Sequence, residues 1–285
     1  MMVISVSLKQ VAQNLLLELF NLIPPSEAER LVRGLREAVE ANGDISRIYH
    51  SLSILEPGYY AGELRIRGSH DYYKEYMDSR SFKLPYPKEI SHIDVLTAIR
   101  NRRSRRSYSS RPLSLEELST ILYYSIGITG RAWWGGPKRA YPSAGALQPM
   151  EGYVEVKNVT GLPKGLYHYN PGRHTLELLR EGDYSRELGY ISLDQEHVSR
   201  APAVLILTAV YSRTASKYGH RSYRYVHWDT GFAGENVYLV AEAIGLATVA
   251  VGAFYDLELC KFLDIDCVTE MPMLLFPIGH RGRWG

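Results

Sequence analysis

The sequence predicts an α/β (α+β) fold in which helices flank a mixed central sheet, with a mostly helical extension at the N-terminus. Two observations lead to this prediction. Short runs of β-branched and aromatic residues alternate with segments of helical period, and 45% of the 285 residues are apolar, enough for a sizeable core. The length corresponds to about two average domains. We expect an extension over residues 1–90 and a main domain over residues 91–285.

The extension is predicted to begin with two helices. Apolar residues recur at helical spacing from Leu8 to Leu22, and Pro24 ends that first helix. A second helix is expected over residues 27–41, where Asn-Gly follows. Residues 49–86 show only turns and scattered aromatic residues, so we expect irregular structure there.

In the main domain, helical and alternating patterns follow each other. Ser114 and Glu117 have the spacing of a capping box, which marks the start of a helix. Gly231, Ala233 and Gly234 would allow another helix to approach closely. Helices are predicted over residues 91–101, 114–124 and 229–246, and strands over residues 152–157, 166–169, 175–179, 203–210, 248–251 and 273–277.

Several classes of protein are excluded or disfavoured. No window contains about 18 uninterrupted apolar residues, which argues against a membrane span. The N-terminus lacks the pattern of a signal peptide, so we expect a cytoplasmic protein. Cys260 and Cys267 are too few for a disulfide framework, and we expect both to be buried apolar residues. His220 and His227 have no third ligand nearby, so no metal site is predicted.

The distribution of charge points to one discrete site. The chain has 33 basic and 31 acidic residues, a net charge of +2. Six arginines lie between positions 100 and 111, where there is no acidic residue, so the rest of the chain is mildly acidic. A near-neutral chain with a local arginine cluster suggests a single anion site and argues against general affinity for nucleic acid.

An extended chain would place Arg102, Ser104 and Arg106 on the same side, because side chains alternate with a period of two. Two guanidinium groups and a hydroxyl suit a phosphate. A solvated charged face is an equally simple interpretation. Binding of nucleic acid would require stacking aromatic residues beside the cations, and Tyr108 is the only one near.

A second segment, residues 142–149, is a run of small residues between two prolines that precedes a predicted strand. Small side chains let backbone N–H groups approach a flat ring, and Gly145 tolerates the dihedral angles of a tight turn. The run does not have the glycine spacing of a Rossmann fingerprint or a P-loop. By itself it could also be an ordinary turn.

Together these segments resemble the FMN-binding elements of the nitroreductase superfamily, and most closely its SagB-type dehydrogenase branch, which includes azoline-oxidising enzymes. The resemblance extends over nearly all of residues 92–281. It is carried by RRSRRSY at 102–108, PLSLEEL at 112–118, PSAGALQPME at 142–151, and the segments at 161–179, 217–225, 234–256 and 276–280. The order and spacing of these segments both fit. The resemblance implies a nitroreductase-like FMN-binding fold.

The resemblance also implies the residues that bind FMN, at a site shared by two subunits of a homodimer. The phosphate and the pyrimidine side of the flavin would contact Arg102, Arg103, Ser104 and Arg106, and Arg281 or Arg283 would supply a further cation to the phosphate. The loop Pro142, Ser143, Ala144 and Gly145, with Gln148 after it, would come from the partner subunit, and Gly252 and Ala253 would face the flavin ring. A fixed cation such as Arg106 would favour the reduced flavin, which carries negative charge at one edge.

The same resemblance implies a catalytic pair, Lys217 and Tyr218, at the place of the Lys-Tyr pair of azoline dehydrogenases. Near a cationic site a lysine can lose basicity, and a tyrosine hydroxyl can relay protons. An ordinary surface position is the alternative. Two departures from the branch concern the substrate: Ser222 replaces a usual glycine, and Gln148-Pro149 replaces a usual Tyr-Pro.

The predicted function is therefore an FMN-dependent oxidoreductase of the SagB type, which transfers a hydride between a small or peptide-derived substrate and the flavin. One alternative is an NAD(P)H-dependent reductase of nitro compounds or quinones, for which NAD(P)H would be the electron donor. Another is a non-catalytic flavin-binding protein with a regulatory or docking role. We expect no nucleic-acid or membrane partner. The short extension makes a peptide substrate less favoured than a small one.

Overall fold

The computed structural model describes residues 71–87 and 93–283, together with positions 32, 33, 46, 49, 50 and 53. The chain divides into two compact units. One comprises residues 1–65 and 218–221, and the other comprises residues 66–217 and 222–285. In the first unit, the Arg221 guanidinium donates a hydrogen bond to the backbone carbonyl of Ser53. All further description of sheets, helices and core concerns the second unit.

A seven-stranded sheet forms the centre of the second unit, with neighbouring strands antiparallel throughout. Its order is β1-β6-β5-β4-β7-β9-β8. The strands are β1 (Ser81–Lys83), β4 (Met150–Val156), β5 (Gly165–Asn170), β6 (Thr175–Glu181), β7 (Ala203–Val210), β8 (Leu246–Thr248) and β9 (Glu270–His280). A separate hairpin pairs β2 (Ile128–Arg131) with β3 (Pro137–Arg139).

Seven α-helices surround the sheet in the part of the chain that the structure describes. They are α1 (Val95–Asn101), α2 (Leu115–Ile126), α3 (Ser185–Ile191), α4 (Glu196–Ser199), α5 (Tyr211–Tyr218), α6 (Ser222–Ala243) and α7 (Asp256–Leu263). The capping box predicted for α2 is present: Ser114 accepts a hydrogen bond from the Glu117 backbone, and the Glu117 side chain accepts one from the Ser114 backbone. These bonds satisfy donors at the start of the helix.

The core lies on both faces of the sheet, because alternate side chains of a strand point to opposite faces. Leu205 and Leu207 of β7 join one apolar cluster with α2 and α6. Val204 and Ile206, their neighbours, join a second cluster with α3, α4 and α7. The predicted α/β architecture, in which helices flank a central sheet, is confirmed, and the neighbouring strands of the sheet are antiparallel.

Several predicted boundaries differ from the structure. Residues 71–87 belong to the second unit and supply strand β1, whose hydrogen bonds to β6 extend the main sheet, so the division falls earlier than residue 90. The helix expected over residues 229–246 is α6, which begins at Ser222 and ends at Ala243. The strand expected at 248–251 ends at Thr248. The two helices predicted before residue 42 lie outside the described residues, apart from two isolated helical positions.

One of the small residues of α6, Gly234, allows close approach to a strand. A β-carbon at Gly234 would lie 2.9 Å from the Phe276 ring of β9, so glycine permits close packing of α6 on the sheet. The prediction of two buried cysteines holds for Cys260, which is 3% exposed, but not for Cys267. Cys260 and Cys267 form a disulfide that links α7 to the loop before β9, with their Cα atoms 5.7 Å apart. Two cysteines seven residues apart can meet across a helix end, which the absence of a multi-cysteine framework does not exclude.

Candidate active site

Residues 102–106, here called the arginine segment, lie in extended form along the C-terminal half of α6. Arg102 places its guanidinium carbon 5.0 Å from the centre of the Tyr238 ring, and the Ser104 hydroxyl lies 2.9 Å from the Tyr238 hydroxyl. The Arg105 backbone N–H donates to the carbonyl of Thr248 at the end of β8. Arg102 and Ser104 thus both contact the side chain of Tyr238, on the same side of the segment, as the period-two alternation predicts.

The alternate side of this segment is occupied by an ion-pair cluster. Glu242, one turn after Tyr238 on α6, accepts from Arg105 at 3.4 Å and from Arg281 at 3.0 Å. Arg281 also donates to the Leu246 carbonyl. Arg105 and Arg281 therefore hold the segment against α6. The placement of Arg281 differs from its predicted role as a phosphate ligand, because its guanidinium is already paired within the chain.

The other predicted cations are Arg103, Arg106 and Arg283, and they also differ in whether their side chains are bonded within the chain. Arg103 donates to the carbonyls of Arg100 and Arg102, so it closes the C-terminal end of α1. Arg106 is exposed, and within the described residues it forms no ion pair. Burial lowers the pKa of His197, and the positive charge of Arg106 lowers it further, which places Arg106 beside that ring. Arg283 is exposed at the end of the described chain.

The loop of small residues is held by the other half of α6. Asp229, which is 2% exposed, accepts a hydrogen bond from the Ala144 backbone N–H at 3.2 Å to each carboxylate oxygen. The Ser143 hydroxyl accepts from the Gln148 backbone N–H. Burial raises the pKa of Asp229 to about 6, although its hydrogen bonds with Ser143 and Ala144 oppose the shift. Asp229 is a residue that sequence reasoning missed.

This loop has an unusual backbone. Gly145 has φ of 61°, and Ala146 and Gln148 also lie in the left-handed region, at 56° and 53°. For a residue with a β-carbon this conformation costs on the order of 1 kcal/mol. Gln148 is nevertheless buried, and its carbonyl accepts a hydrogen bond from Arg213 of α5. The bonds from Asp229 and Arg213 hold the loop in this shape.

Within one chain, α6 keeps the loop and the arginine segment apart. Asp229 and Tyr238 are nine residues apart on the helix, so the two contact points are separated by about 14 Å along its axis. The two segments therefore contact different halves of α6.

The third predicted segment adjoins the arginine segment. The Ala250 backbone N–H donates to the Tyr238 hydroxyl at 2.8 Å, directly after β8. Val251 then pairs with Leu275 of β9, and Gly252 and Ala253 are exposed. Tyr238 therefore contacts both the arginine segment and the residues that lead into Gly252 and Ala253. No sequence pattern identified Tyr238, because its three partners come from distant parts of the chain.

The predicted catalytic pair lies at the C-terminal end of α5. Lys217 is exposed and Tyr218 is half-buried, and the two compact units divide between them. Both side chains therefore lie on a helix that directly follows β7. Arg213, one turn earlier, is 3% exposed and faces the main sheet.

A cavity of about 790 Å³ lies elsewhere in the second unit. Lys74, Arg213 and Glu270 line it, and all three belong to a buried network of ion pairs. Because these charges compensate each other, the cavity does not present the unbalanced charge of an anion site. Among residues 71–87 and 93–283, no three His, Cys, Asp or Glu side chains are grouped as metal ligands would be. Within the same ranges, no helix is long and apolar enough to cross a membrane.

Comparisons with known proteins agree with this geometry. The nitroreductase family model matches residues 99–280. A protein of Methanocaldococcus jannaschii that is named as a nitroreductase, MJ1384, is 43% identical over 204 residues, which cover 72% of this chain and 98% of the relative. A solved structure from Ralstonia eutropha, also named as a nitroreductase, is 28% identical, with a TM-score of 0.60 over 73% of this chain and 92% of that one.

Two proteins that are named as processing proteins are also similar. The microcin B17-processing protein McbC of Escherichia coli is 29% identical over 148 residues, and this chain spans about half of its length. The trifolitoxin-processing protein TfxB of Rhizobium leguminosarum is 30% identical over 211 residues, again about half of that protein. The family model covers well over half of this chain, and the archaeal relative matches almost end to end. The chain therefore belongs to the nitroreductase family, a family of oxidoreductases.

Proposed function

We propose that the protein is an FMN-dependent dehydrogenase of the SagB type, which acts as a homodimer on a small or peptide-derived substrate. The observation that carries this proposal is the arrangement on Tyr238, whose ring and hydroxyl contact Arg102 and Ser104; Arg106, two residues further along the chain, is exposed. The similarity to the two processing proteins supports the SagB assignment.

The residues present fit the phosphate of FMN. A phosphate needs cations and hydrogen-bond donors that are not already neutralised. Arg105 and Arg281 are paired with Glu242, whereas Arg106 is exposed and Arg102 lies over an aromatic ring. Arg102, Ser104 and Arg106 would therefore hold the phosphate. Arg105 and Arg281 would keep the segment in position.

When bound, FMN supplies two-electron chemistry by exchanging a hydride with the substrate. The contribution of the chain is charge, position and proton transfer. Arg106 would stabilise negative charge at the site, because a fixed cation requires no reorganisation during the reaction. Lys217 and Tyr218 would take or deliver the proton that accompanies the hydride, since an amine and a phenol can exchange protons in sequence.

The proposed homodimer agrees with the separation of the two segments on α6, because the resemblance assigns the loop to the partner subunit. A partner copy would bring its own loop, residues 142–145, to the arginine segment of the first. Two exposed aromatic residues of α6, Trp228 and Phe232, lie one turn apart and are each 50% exposed. An apolar pair of this kind suits an interface between copies.

Reconstitution with FMN tests the proposal. We expect the purified protein to be yellow, or to become yellow when excess FMN is added. Arg102→Ala combined with Arg106→Ala should release the flavin, while Arg131→Ala, an exposed arginine of the hairpin, should retain it. Wild-type protein that stays colourless after refolding with excess FMN would contradict the proposal.

A reductase that uses NAD(P)H is the second candidate. It is favoured by the similarity to the archaeal protein named as a nitroreductase, which extends over 98% of that protein. Anaerobic rapid mixing of the flavin-loaded protein with NADH and with NADPH separates the two candidates. Fast bleaching of the flavin supports the reductase. If neither nucleotide bleaches it while a candidate substrate does, the dehydrogenase is supported.

A further inference from the structure

We propose that Tyr238 is a positioning residue of the flavin site, and that its hydroxyl directs the proton of the Ser104 hydroxyl toward the phosphate. This inference rests on the proposed function. It concerns a residue that none of the similarities identifies and that does not itself touch the phosphate in the proposed arrangement.

Tyr238 is a junction between three segments. Its oxygen lies 2.8 Å from the Ala250 backbone nitrogen and 2.9 Å from the Ser104 hydroxyl oxygen, and its ring lies under the guanidinium of Arg102 at 5.0 Å. The side chain is half-buried on α6, and its ring also packs edge-on against Phe276 of the sheet at 5.9 Å. This packing fixes the hydroxyl in place.

The direction of the hydrogen bonds follows from the donor inventory. The Ala250 N–H can only donate, so the Tyr238 oxygen accepts from it. The bond between the two hydroxyls can run either way, because each has one proton and two lone pairs. If an anion lies beside Ser104, however, the serine proton must point to that anion. Ser104 must then accept from Tyr238.

The result is a chain of donors that runs from the Ala250 N–H through Tyr238 and Ser104 to the phosphate. Hydrogen bonds aligned in one direction polarise each other, so each becomes stronger. Without the tyrosine hydroxyl, the Ser104 hydroxyl would rotate freely and would lose part of its strength as a donor. The Arg102 contact depends on the ring and not on the hydroxyl.

The experiment compares the affinity for FMN with the affinity for riboflavin, which has the same ring system but no phosphate. It uses the full-length dimer, quenching of flavin fluorescence, and four variants: Tyr238→Phe, Ser104→Ala, the double variant, and Tyr190→Phe as a control. Tyr190 is an exposed tyrosine of α3, 57% exposed. Tyr238→Phe keeps the ring and therefore the packing on Phe276 and the contact with Arg102.

We expect Tyr238→Phe to weaken FMN binding about tenfold, which corresponds to about 1.4 kcal/mol, and to leave riboflavin binding unchanged. Ser104→Ala should have a similar effect, and the double variant should lose no more than either single variant, because both act through one chain of bonds. Tyr190→Phe should match wild type. Ser104→Ala keeps the test valid even if Tyr238→Phe folds poorly, because Ser104 is exposed.

Two results would overturn the inference. Equal loss of FMN and riboflavin affinity in Tyr238→Phe would show a general structural role, and additive losses in the double variant would show that the two hydroxyls act separately. Failure of the proposed function gives a different result. In that case wild-type protein would bind neither flavin, whereas failure of this inference alone would leave wild-type binding intact and the FMN-to-riboflavin ratio unchanged in the variant.

Discussion

Charged side chains have opposite surroundings on the two faces of the central sheet. On the face away from α6, a buried network pairs carboxylates with cations inside the protein. His168 lies between Glu151 at 2.9 Å and Glu177 at 3.0 Å, and Arg213 donates to Glu151 at 2.6 Å. Along α6, by contrast, Asp229 is buried without a cationic partner among its hydrogen bonds, and the Arg102 guanidinium lies over the Tyr238 ring.

The pKa values show the difference. Burial alone would raise the pKa of Glu151, but the hydrogen bond with His168 and the charge of Arg213 outweigh it and lower the pKa to about 2. Burial would lower the pKa of His168, yet its two carboxylate partners raise it. Both ring nitrogens of His168 face carboxylates, so the charged form of the ring satisfies both. Burial raises the pKa of Asp229 to about 6, which disfavours its charged form.

The charges of the network stabilise the fold, whereas the charges along α6 are available for a ligand. In the network, each ionised group is stabilised by its neighbours, and the network also ties residues 71–76 to the sheet, since the Lys74 and Tyr76 backbones donate to Glu151 and Glu177. Along α6, neither the Asp229 carboxylate nor the Arg102 guanidinium has an oppositely charged partner among the described residues. Unbalanced charge of this kind is typical of a binding site.

The largest expected effect on stability is loss of Arg213. Arg213→Met should lower the free energy of unfolding by about 3–5 kcal/mol, because it removes the guanidinium partner of the buried Glu151 carboxylate and leaves that charge to His168 alone. Denaturant titration measures the change. Arg200→Met is the matched control, since Arg200 pairs with Glu196 at the surface, where both side chains are more than 70% exposed. It should change stability by less than about 0.5 kcal/mol. If both variants lowered the free energy of unfolding equally, the buried network would stabilise the fold no more than a surface ion pair does.

The second largest expected effect on stability is the loss of the Glu151 contribution in acid. The pKa of Glu151 is lowered on folding, so its contribution is fully present above about pH 4.5 and is lost as the pH falls toward 2. The expected loss is about 3 kcal/mol. Unfolding midpoints measured from pH 6 down to pH 2 would record this loss of stability. Glu151→Gln should flatten this acid limb, and an unchanged slope in that variant would show that other carboxylates control it.

Asp229 should behave in the opposite sense. Its pKa is raised on folding, so its contribution favours the folded protein below about pH 4 and is lost as the pH rises through about 6. Asp229→Asn should therefore stabilise the flavin-free protein at pH 8 by on the order of 2 kcal/mol, with little gain at pH 4. Thermal unfolding at both pH values measures this. Destabilisation at pH 8 would show that the bond to Ala144 outweighs the cost of the buried charge.

Lys217→Ala and Tyr218→Phe should have the smallest effects on stability, within about 0.5 kcal/mol. If the pair exchanges protons with the substrate, both variants should nevertheless lower kcat by 10²-fold or more, roughly the contribution of a positioned acid or base. Steady-state turnover with an identified substrate, together with flavin absorbance to check loading, provides the measurement. Full activity in both variants would remove them from the mechanism.

Much of the fold could be predicted from local patterns. The β7 strand coincides with the predicted residues 203–210, and the capping box of α2 forms as expected, because both depend on short-range signals. The hairpin of β2 and β3 was not predicted, since its Trp-Trp-Gly-Gly turn has no alternating apolar pattern on either side. The start of α6 was also missed, because its first turns are rich in aromatic and charged residues.

The site was predictable only in part. The arginine segment and the small-residue loop could be found as clusters, but no local pattern indicated which residues hold them in place. Asp229, Tyr238 and Glu242 all lie on α6 at positions that a helix of mixed polarity does not distinguish. Their partners, such as Ala144 and Ser104, are 85 and 134 residues away in the chain. Contacts at such separations are set by the fold, not by a local motif.

One paired measurement tests the central distinction most directly. FMN affinity and the free energy of unfolding are measured for wild type, for Arg102→Ala with Arg106→Ala, and for Arg213→Met. We predict that the double variant loses FMN affinity about a hundredfold, equivalent to about 2.7 kcal/mol, with nearly unchanged stability. Arg213→Met should lose stability and, under conditions where it is folded, bind FMN with at most a small change. If the double variant binds FMN as wild type does, the arginine segment is not the phosphate site and the proposed assignment of the two faces is wrong.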